Sequence, residues 1–194
     1  MKKTFERLTQ IIEQYDEILL SGHKNIDLDA LGAVLGMYHI VQTKGKKVSI
    51  YLEDTITNTS VVKALEKLKL YHVQVSFIHQ DEVKEKDPEK TLYILIDTHN
   101  AKLLDQPWMF TYFKHQMVLD HHIKMVDSLI GSEYTYINSR LSSMVEFVSL
   151  YLQYVDAKVA PIVGTIMLAG MEIDTNSYNI KTTAQTYEVA AYLM

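Results

Sequence analysis

Glu17–Ser21 (EILLS), Thr91–Ile96 (TLYILI) and Gln116–Leu119 (QMVL) are short, nearly unbroken apolar runs, and each leads at once into residues that bind hard metal ions. A strand with one face in water alternates apolar and polar side chains, whereas a run that is apolar throughout has to be covered on both faces, as in a parallel sheet flanked by helices. Helical spacing fills the intervals between the runs. It appears at Phe5–Tyr15, Ala30–Val41 and Val61–Leu70, and again in three C-terminal stretches, Leu141–Tyr154, Ala157–Glu172 and Thr183–Leu193. Further strands are expected at Lys47–Leu52 (after the Lys44-Gly45-Lys46 turn), Val73–Ile78 and Tyr134–Ile137, with a charged loop at Asp81–Lys90. The alternation predicts an α/β fold, a parallel-rich sheet with helices on both faces followed by a helical C-terminal segment.

The residues that end the runs carry the chemistry. Gly22-His23-Lys24-Asn25-Ile26-Asp27-Leu28-Asp29 follows the first run, Asp97-Thr98-His99-Asn100 the second and Asp120-His121-His122 the third, and Asp174 closes a helix in Gly170-Met171-Glu172-Ile173-Asp174-Thr175. In open α/β sheets, ligands collect at the carboxyl ends of strands, so the four segments can converge there. His23, Asp27, Asp29, Asp97, His121 and Asp174 are too many for one structural zinc, which takes four ligands. They suit two divalent ions sharing a carboxylate, and imidazole with carboxylate and no sulfur favours manganese. Each residue also has a plain structural reading: Asp29 as a helix cap, Asp97 and Asp120 as turn formers, His121 and His122 as partly buried structural histidines. Their joint occurrence at element ends favours the metal reading.

Composition narrows the partners. The net charge is −5, so the chain lacks the basic excess of a protein that grips long nucleic acids. Two cations at the cluster would let an acidic protein take an anionic substrate. With no cysteine, disulfides, thiolate zinc sites and cysteine nucleophiles are excluded, which fits a cytoplasmic setting. No apolar run is long enough to cross a bilayer, so no membrane contact is expected from these residues.

His23-x-x-x-Asp27-x-Asp29, Asp97 after a strand, Asp120-His121-His122 and Asp174 resemble the ordered motifs of the DHH phosphoesterases, a superfamily that includes RecJ exonucleases, nanoRNases, family II pyrophosphatases and cyclic-di-AMP phosphodiesterases. Ile96-Asp97-Thr98-His99, Ser142-Ser143-Met144-Val145-Glu146 and the Gly170–Thr175 segment look most like the GdpP type of cyclic-di-AMP phosphodiesterase. The resemblance implies one ion on His23, Asp27 and Asp97 and a second on Asp29, Asp97, His121 and Asp174. It makes Asp120 the acceptor that fixes the His121 ring, and turns His122 toward the substrate phosphate as stabiliser or proton donor. Ser142 and Ser143, at a helix start, and His99 become candidate substrate contacts; for His99 a structural role is weighed equally. His39, His72, His79 and His115 are read as structural, and Arg140 has no assigned role.

Residues 1–194 are expected to form one DHH phosphoesterase domain, without the C-terminal DHHA1 substrate-binding domain that family members carry. The implied activity is water attack on cyclic-di-AMP to give the linear dinucleotide. The alternatives are a nanoRNase or phosphoadenosine-phosphate phosphatase, or a metal-binding fragment without activity of its own. Small nucleotides are the implied substrates. The resemblance leaves a homodimer open, and allows the parent protein to be tethered to the inner face of the cell membrane.

Overall fold

The computed structural model describes residues 1–194. In chain order the elements are α1 (Lys2–Glu13), β1 (Glu17–Ser21), α2 (Leu28–Thr43), β2 (Lys47–Tyr51), α3 (Thr59–Leu70), β3 (Phe77–Ile78), α4 (Gln80–Lys84), β4 (Thr91–Ile96), α5 (Trp108–Tyr112), β5 (His115–Asp120), β6 (Tyr134–Ile137), α6 (Met144–Tyr154), α7 (Pro161–Asp174) and α8 (Ala184–Leu193). The six strands form one sheet in the order β3-β2-β1-β4-β5-β6, and every pairing is parallel. The order reverses between β1 and β4, where successive connections leave on opposite faces and open a crevice at the carboxyl ends.

The apolar runs divide their side chains between two cores. Ile18, Leu20, Ile94, Ile96, Met117 and Leu119 enter the larger, which also takes residues of α1, α2, α3, α6, α7 and α8. Leu19, Tyr93, Leu95 and Val118 enter a smaller one on the other face, with Val83 of α4 and Met109 of α5. Each fully buried Leu or Ile contributes about 1.5–3 kcal/mol, which is why these strands need no polar face. Helix α2 is buried nearly all round, as a helix enclosed by other elements must be. It lies so close to α7 that a Cβ on Gly32 would sit 2.9 Å from the Met167 Cα, and one on Gly170 would sit 2.4 Å from the Leu28 carbonyl oxygen.

Four expectations shift. The Val73–Ile78 strand shrinks to Phe77–Ile78 at the sheet edge. The Val73 N–H instead closes the end of α3 on the Leu68 carbonyl, and the Ser76 N–H donates to the Tyr38 hydroxyl. The charged Asp81–Lys90 stretch contains α4, started by a Glu82 carboxylate that accepts the His79 N–H at 3.0 Å. Helix α6 begins at Met144 because Ser143 caps it, accepting the Glu146 N–H at 3.0 Å. Helix α7 begins at Pro161, a residue suited to a first helical position, and runs on through Asp174.

Candidate metal centre

All six expected ligands meet at the carboxyl ends of β1, β4 and β5. His23 follows β1 in a loop tied down at two points: the Lys24 N–H donates to the Leu103 carbonyl at 2.7 Å, and the Ile26 N–H to Glu53 Oε1 at 3.1 Å. The His23 Nδ1–H donates to the Lys24 carbonyl at 2.8 Å, which leaves Nε2 free to act as a ligand. Asp27 is the N-cap of α2, accepting the Ala30 N–H at 2.9 Å. Asp97 directly follows β4 at φ 68, a left-handed conformation that aspartate tolerates better than most residues. Such strain is characteristic of functional positions. Asp174 ends α7, and the contact at Gly170, one turn earlier, sets the distance from α7 to the start of α2, where Asp29 lies.

The geometry divides into two halves that meet at Asp97. His23 Nε2 lies 3.5 Å from Asp27 Oδ2 and 3.7 Å from Asp97 Oδ2. His121 Nε2 lies 3.2 Å from Asp97 Oδ1, 3.1 Å from Asp174 Oδ2 and 3.6 Å from Asp29 Oδ2. His23, Asp27 and Asp97 converge closely enough to share an ion, and so do Asp29, His121 and Asp174, and Asp97, His121 and His122. The Asp97 side chain is 2% exposed, and its Oδ1, like both ring nitrogens of His121, makes no hydrogen bond. Close approach without hydrogen-bond alignment, in a dry setting that penalises orphaned polar atoms, is what ligands aimed at a shared cation show.

The electrostatics agree. Burial, and then the charges of Asp97 and Asp174, hold the Asp29 carboxyl well above the usual carboxylate range. Burial likewise raises Asp97, against the opposing effect of His121. Burial works to lower His23, but Asp27 and the Lys24 carbonyl push it up to about 9. His121, also opposed by burial, is pushed up to about 11 by Asp174 and Asp97. Crowded carboxylates thus recruit protons onto the imidazoles, and a divalent cation would supply the positive charge in their place.

Several expected contacts are corrected. Asp120 does not hold the His121 ring. Its Oδ1 closes a turn on the His122 N–H at 3.0 Å and accepts the His122 Nδ1–H at 2.8 Å, while Oδ2 accepts from His99 Nδ1. With both oxygens engaged, Asp120 is drawn down to about 2, burial notwithstanding. His99 is buried, and its second nitrogen accepts the Met125 N–H at 3.3 Å, so neither ring nitrogen is free for substrate. The N-terminus of α6 is also filled. The Met144 and Val145 N–H groups donate to Asp29 at 2.8 and 2.9 Å, and the Ser142 hydroxyl donates to Glu146. Asp27, not Asp29, caps α2; Asp29 instead caps a helix far away in sequence. The His122 side chain is 55% exposed, at the rim of the cluster.

Two supporting residues were missed. Glu53 carries no local signal. Glu146 does, because Ser143-x-x-Glu146 is a capping-box spacing; its carboxylate also accepts the Thr186 hydroxyl of α8 at 2.9 Å.

The family model described as the DHH family, N-terminal domain, matches residues 17–171. The chain belongs to the DHH family. It is 29% identical over 189 residues to the cyclic-di-AMP phosphodiesterase GdpP of Bacillus subtilis (strain 168), covering 96% of this chain and 29% of that protein. The Geobacillus thermodenitrificans GdpP is 30% identical over the same shares. A Streptococcus mutans protein named for bifunctional oligoribonuclease and PAP phosphatase activity, NrnA, is 25% identical and matches 98% of this chain and 56% of its own length. The DHH-family chain therefore spans less than a third of its GdpP relatives. In fold it is similar to an exopolyphosphatase-related protein from Bacteroides fragilis, with a TM-score of 0.77 at 19% identity over 100% of this chain and 56% of that one. It is also similar to exonuclease RecJ bound to manganese, with a TM-score of 0.50 at 11% identity over 96% of this chain and 46% of that one.

Proposed function

We propose that this chain is the catalytic module of a two-metal phosphodiesterase that opens cyclic-di-AMP to the linear dinucleotide, with manganese as its metal. One observation carries the reading: the two oxygens of a single buried carboxylate, Asp97, face two separate ligand groups. His23, Asp27 and Asp97 would hold one ion, and Asp29, His121, Asp174 and Asp97 the other. Bound there, such a pair supplies an acidic water for attack at phosphorus and positive charge to offset that on the phosphoryl oxygens. The α6 N–H groups hold Asp29 by both oxygens, so its orientation does not depend on the substrate. Asp120 takes the His122 Nδ1–H and orients the exposed ring at the rim. From there the ring can stabilise the phosphoryl charge or pass a proton to the departing ribose oxygen as the P–O bond breaks. The GdpP relatives support the choice of cyclic-di-AMP, and the manganese in the RecJ structure supports the metal.

The similarity to NrnA supports a second reading, hydrolysis of short linear oligoribonucleotides or of phosphoadenosine phosphate at the same ligands. Manganese-dependent turnover of cyclic-di-AMP, a linear diadenylate and phosphoadenosine phosphate, compared in wild type and Asp97→Ala, tests both. The main proposal expects cyclic-di-AMP to be preferred and the variant to lose at least about a thousandfold in rate. Undiminished turnover by Asp97→Ala would refute it.

A further inference from the structure

A cavity of about 590 Å³ lies not at the ligand cluster but beside it, between the end of β2, α3 and the segment before β3. Ile56, Leu65, Val73, Val75 and Phe77 form apolar walls, and polar groups lie around them: Glu53, Asp54, Lys69, His72 and His79. A cavity of this size, with walls of this kind and a few polar groups, suits a small organic ligand. At its rim His72, at φ 55, is the left-handed residue that ends α3.

Its position ties it to the cluster. Leu52 and Glu53 line this cavity and also the narrow cleft that contains Gly22, His23 and Ile26. Glu53 Oε1 accepts the Ile26 N–H, immediately before the ligand Asp27. One wall therefore separates the cavity from the metal-binding loop. At the near rim the Ile26 N–H takes Glu53 Oε1 and His79 Nδ1 lies 3.3 Å from Asp54 Oδ1, so the second oxygen of each carboxylate is what the rim offers to an N–H donor.

We propose that this cavity is the subsite for one base of the nucleotide substrate, a purine bearing an exocyclic amine. The flat ring lies between the aliphatic walls and Phe77, its amine donates to the Glu53–Asp54 rim, and the phosphodiester reaches the cluster across Leu52 and Glu53. This assignment rests on the reading of the chain as a nucleotide phosphodiesterase.

Adenosine, which carries no phosphate and needs no metal, tests the subsite directly. It is titrated into the full chain in EDTA while backbone amide resonances are followed. The expected result is saturable shifts at residues 52–56 and 72–79, with inosine, which has a carbonyl in place of the amine, binding about tenfold more weakly. No shift at about 10 mM adenosine, shifts confined to another surface, or an equal response to inosine overturns the assignment. Val75→Trp and, independently, Leu65→Trp fill the cavity and are expected to abolish the shifts. Each should also raise the ratio of KM for cyclic-di-AMP to KM for the base-free bis(p-nitrophenyl) phosphate by about tenfold, and an unchanged ratio in both overturns the subsite. If neither phosphodiester is hydrolysed, the proposed activity fails, while the adenosine titration still decides the subsite.

Discussion

Replacing Gly170 with alanine puts a methyl group where α7 meets the start of α2. That methyl would lie 2.4 Å from the Leu28 carbonyl oxygen and 2.8 Å from the Asp29 Cα, whereas ordinary contact begins at 3.4 Å. The shortfall, 3.4 minus 2.4, is about 1 Å, and backbone atoms cannot rotate out of the way as a side-chain tip can. In an open helix interior, glycine to alanine stabilises by about 1 kcal/mol. Overpacking of a core costs about 1–3 kcal/mol, and a clash against backbone belongs at the upper end. The net expectation is a loss of about 2 kcal/mol, which for a chain of this length lowers Tm by about 4–8 °C. The same displacement moves Asp174 away from Asp29 and His121, so manganese affinity at that half of the centre should fall by about tenfold or more. Thermal unfolding with EDTA and with manganese, together with calorimetric titration of the metal, reads both effects. A Gly170→Ala protein as stable as wild type, with unchanged manganese binding, would refute the argument that this close approach sets the ligand geometry.

Two further expectations concern charge and orientation. In the metal-free chain His23 and His121 have folded pKa values raised to about 9 and about 11 from 6.5, so the folded state holds extra protons above pH 6.5. The stability they contribute is fully present below pH 6.5 and is lost as pH rises through those values. The Tm in EDTA should therefore fall from pH 6.5 to 9, and manganese should raise it more at higher pH; a flat or rising Tm in EDTA would contradict this. His99→Ala leaves a buried oxygen of Asp120 without its partner, at a cost of about 1–3 kcal/mol, while the Met125 N–H keeps the Ser128 hydroxyl oxygen at 3.2 Å. Acting through Asp120 on His122, it should lower kcat by about tenfold or more while KM changes little, and an unchanged kcat would exclude that route.

The strands most legible in the sequence are those whose burial is uniform. Glu17–Ser21, Thr91–Ile96 and Tyr134–Ile137 have the expected bounds. Val73–Ile78 was less legible. Its valines satisfy the larger core from the side of an edge, and apolar pattern does not distinguish lateral packing from pairing. The convergence of the six candidate ligands was legible because the carboxyl ends of parallel strands share one rim of the sheet, although each residue taken singly had a structural reading. What those ligands lean on was not. Asp29 accepts from Met144 and Val145, more than a hundred positions away, and Asp120 turns to His99 rather than its neighbour His121. Contacts of that range follow from helix placement, and helix placement here depends on glycines whose local context gives no sign of the partner surface.

The central claim concerns Asp97, and crystals grown in manganese test it most directly through anomalous scattering on either side of the metal's absorption edge. The account predicts two peaks per chain, about 3.5–4 Å apart, one on each oxygen of Asp97. His23 and Asp27 should complete the first, and Asp29, His121 and Asp174 the second. A single peak, with the other half of the cluster turned away from it, would contradict the account.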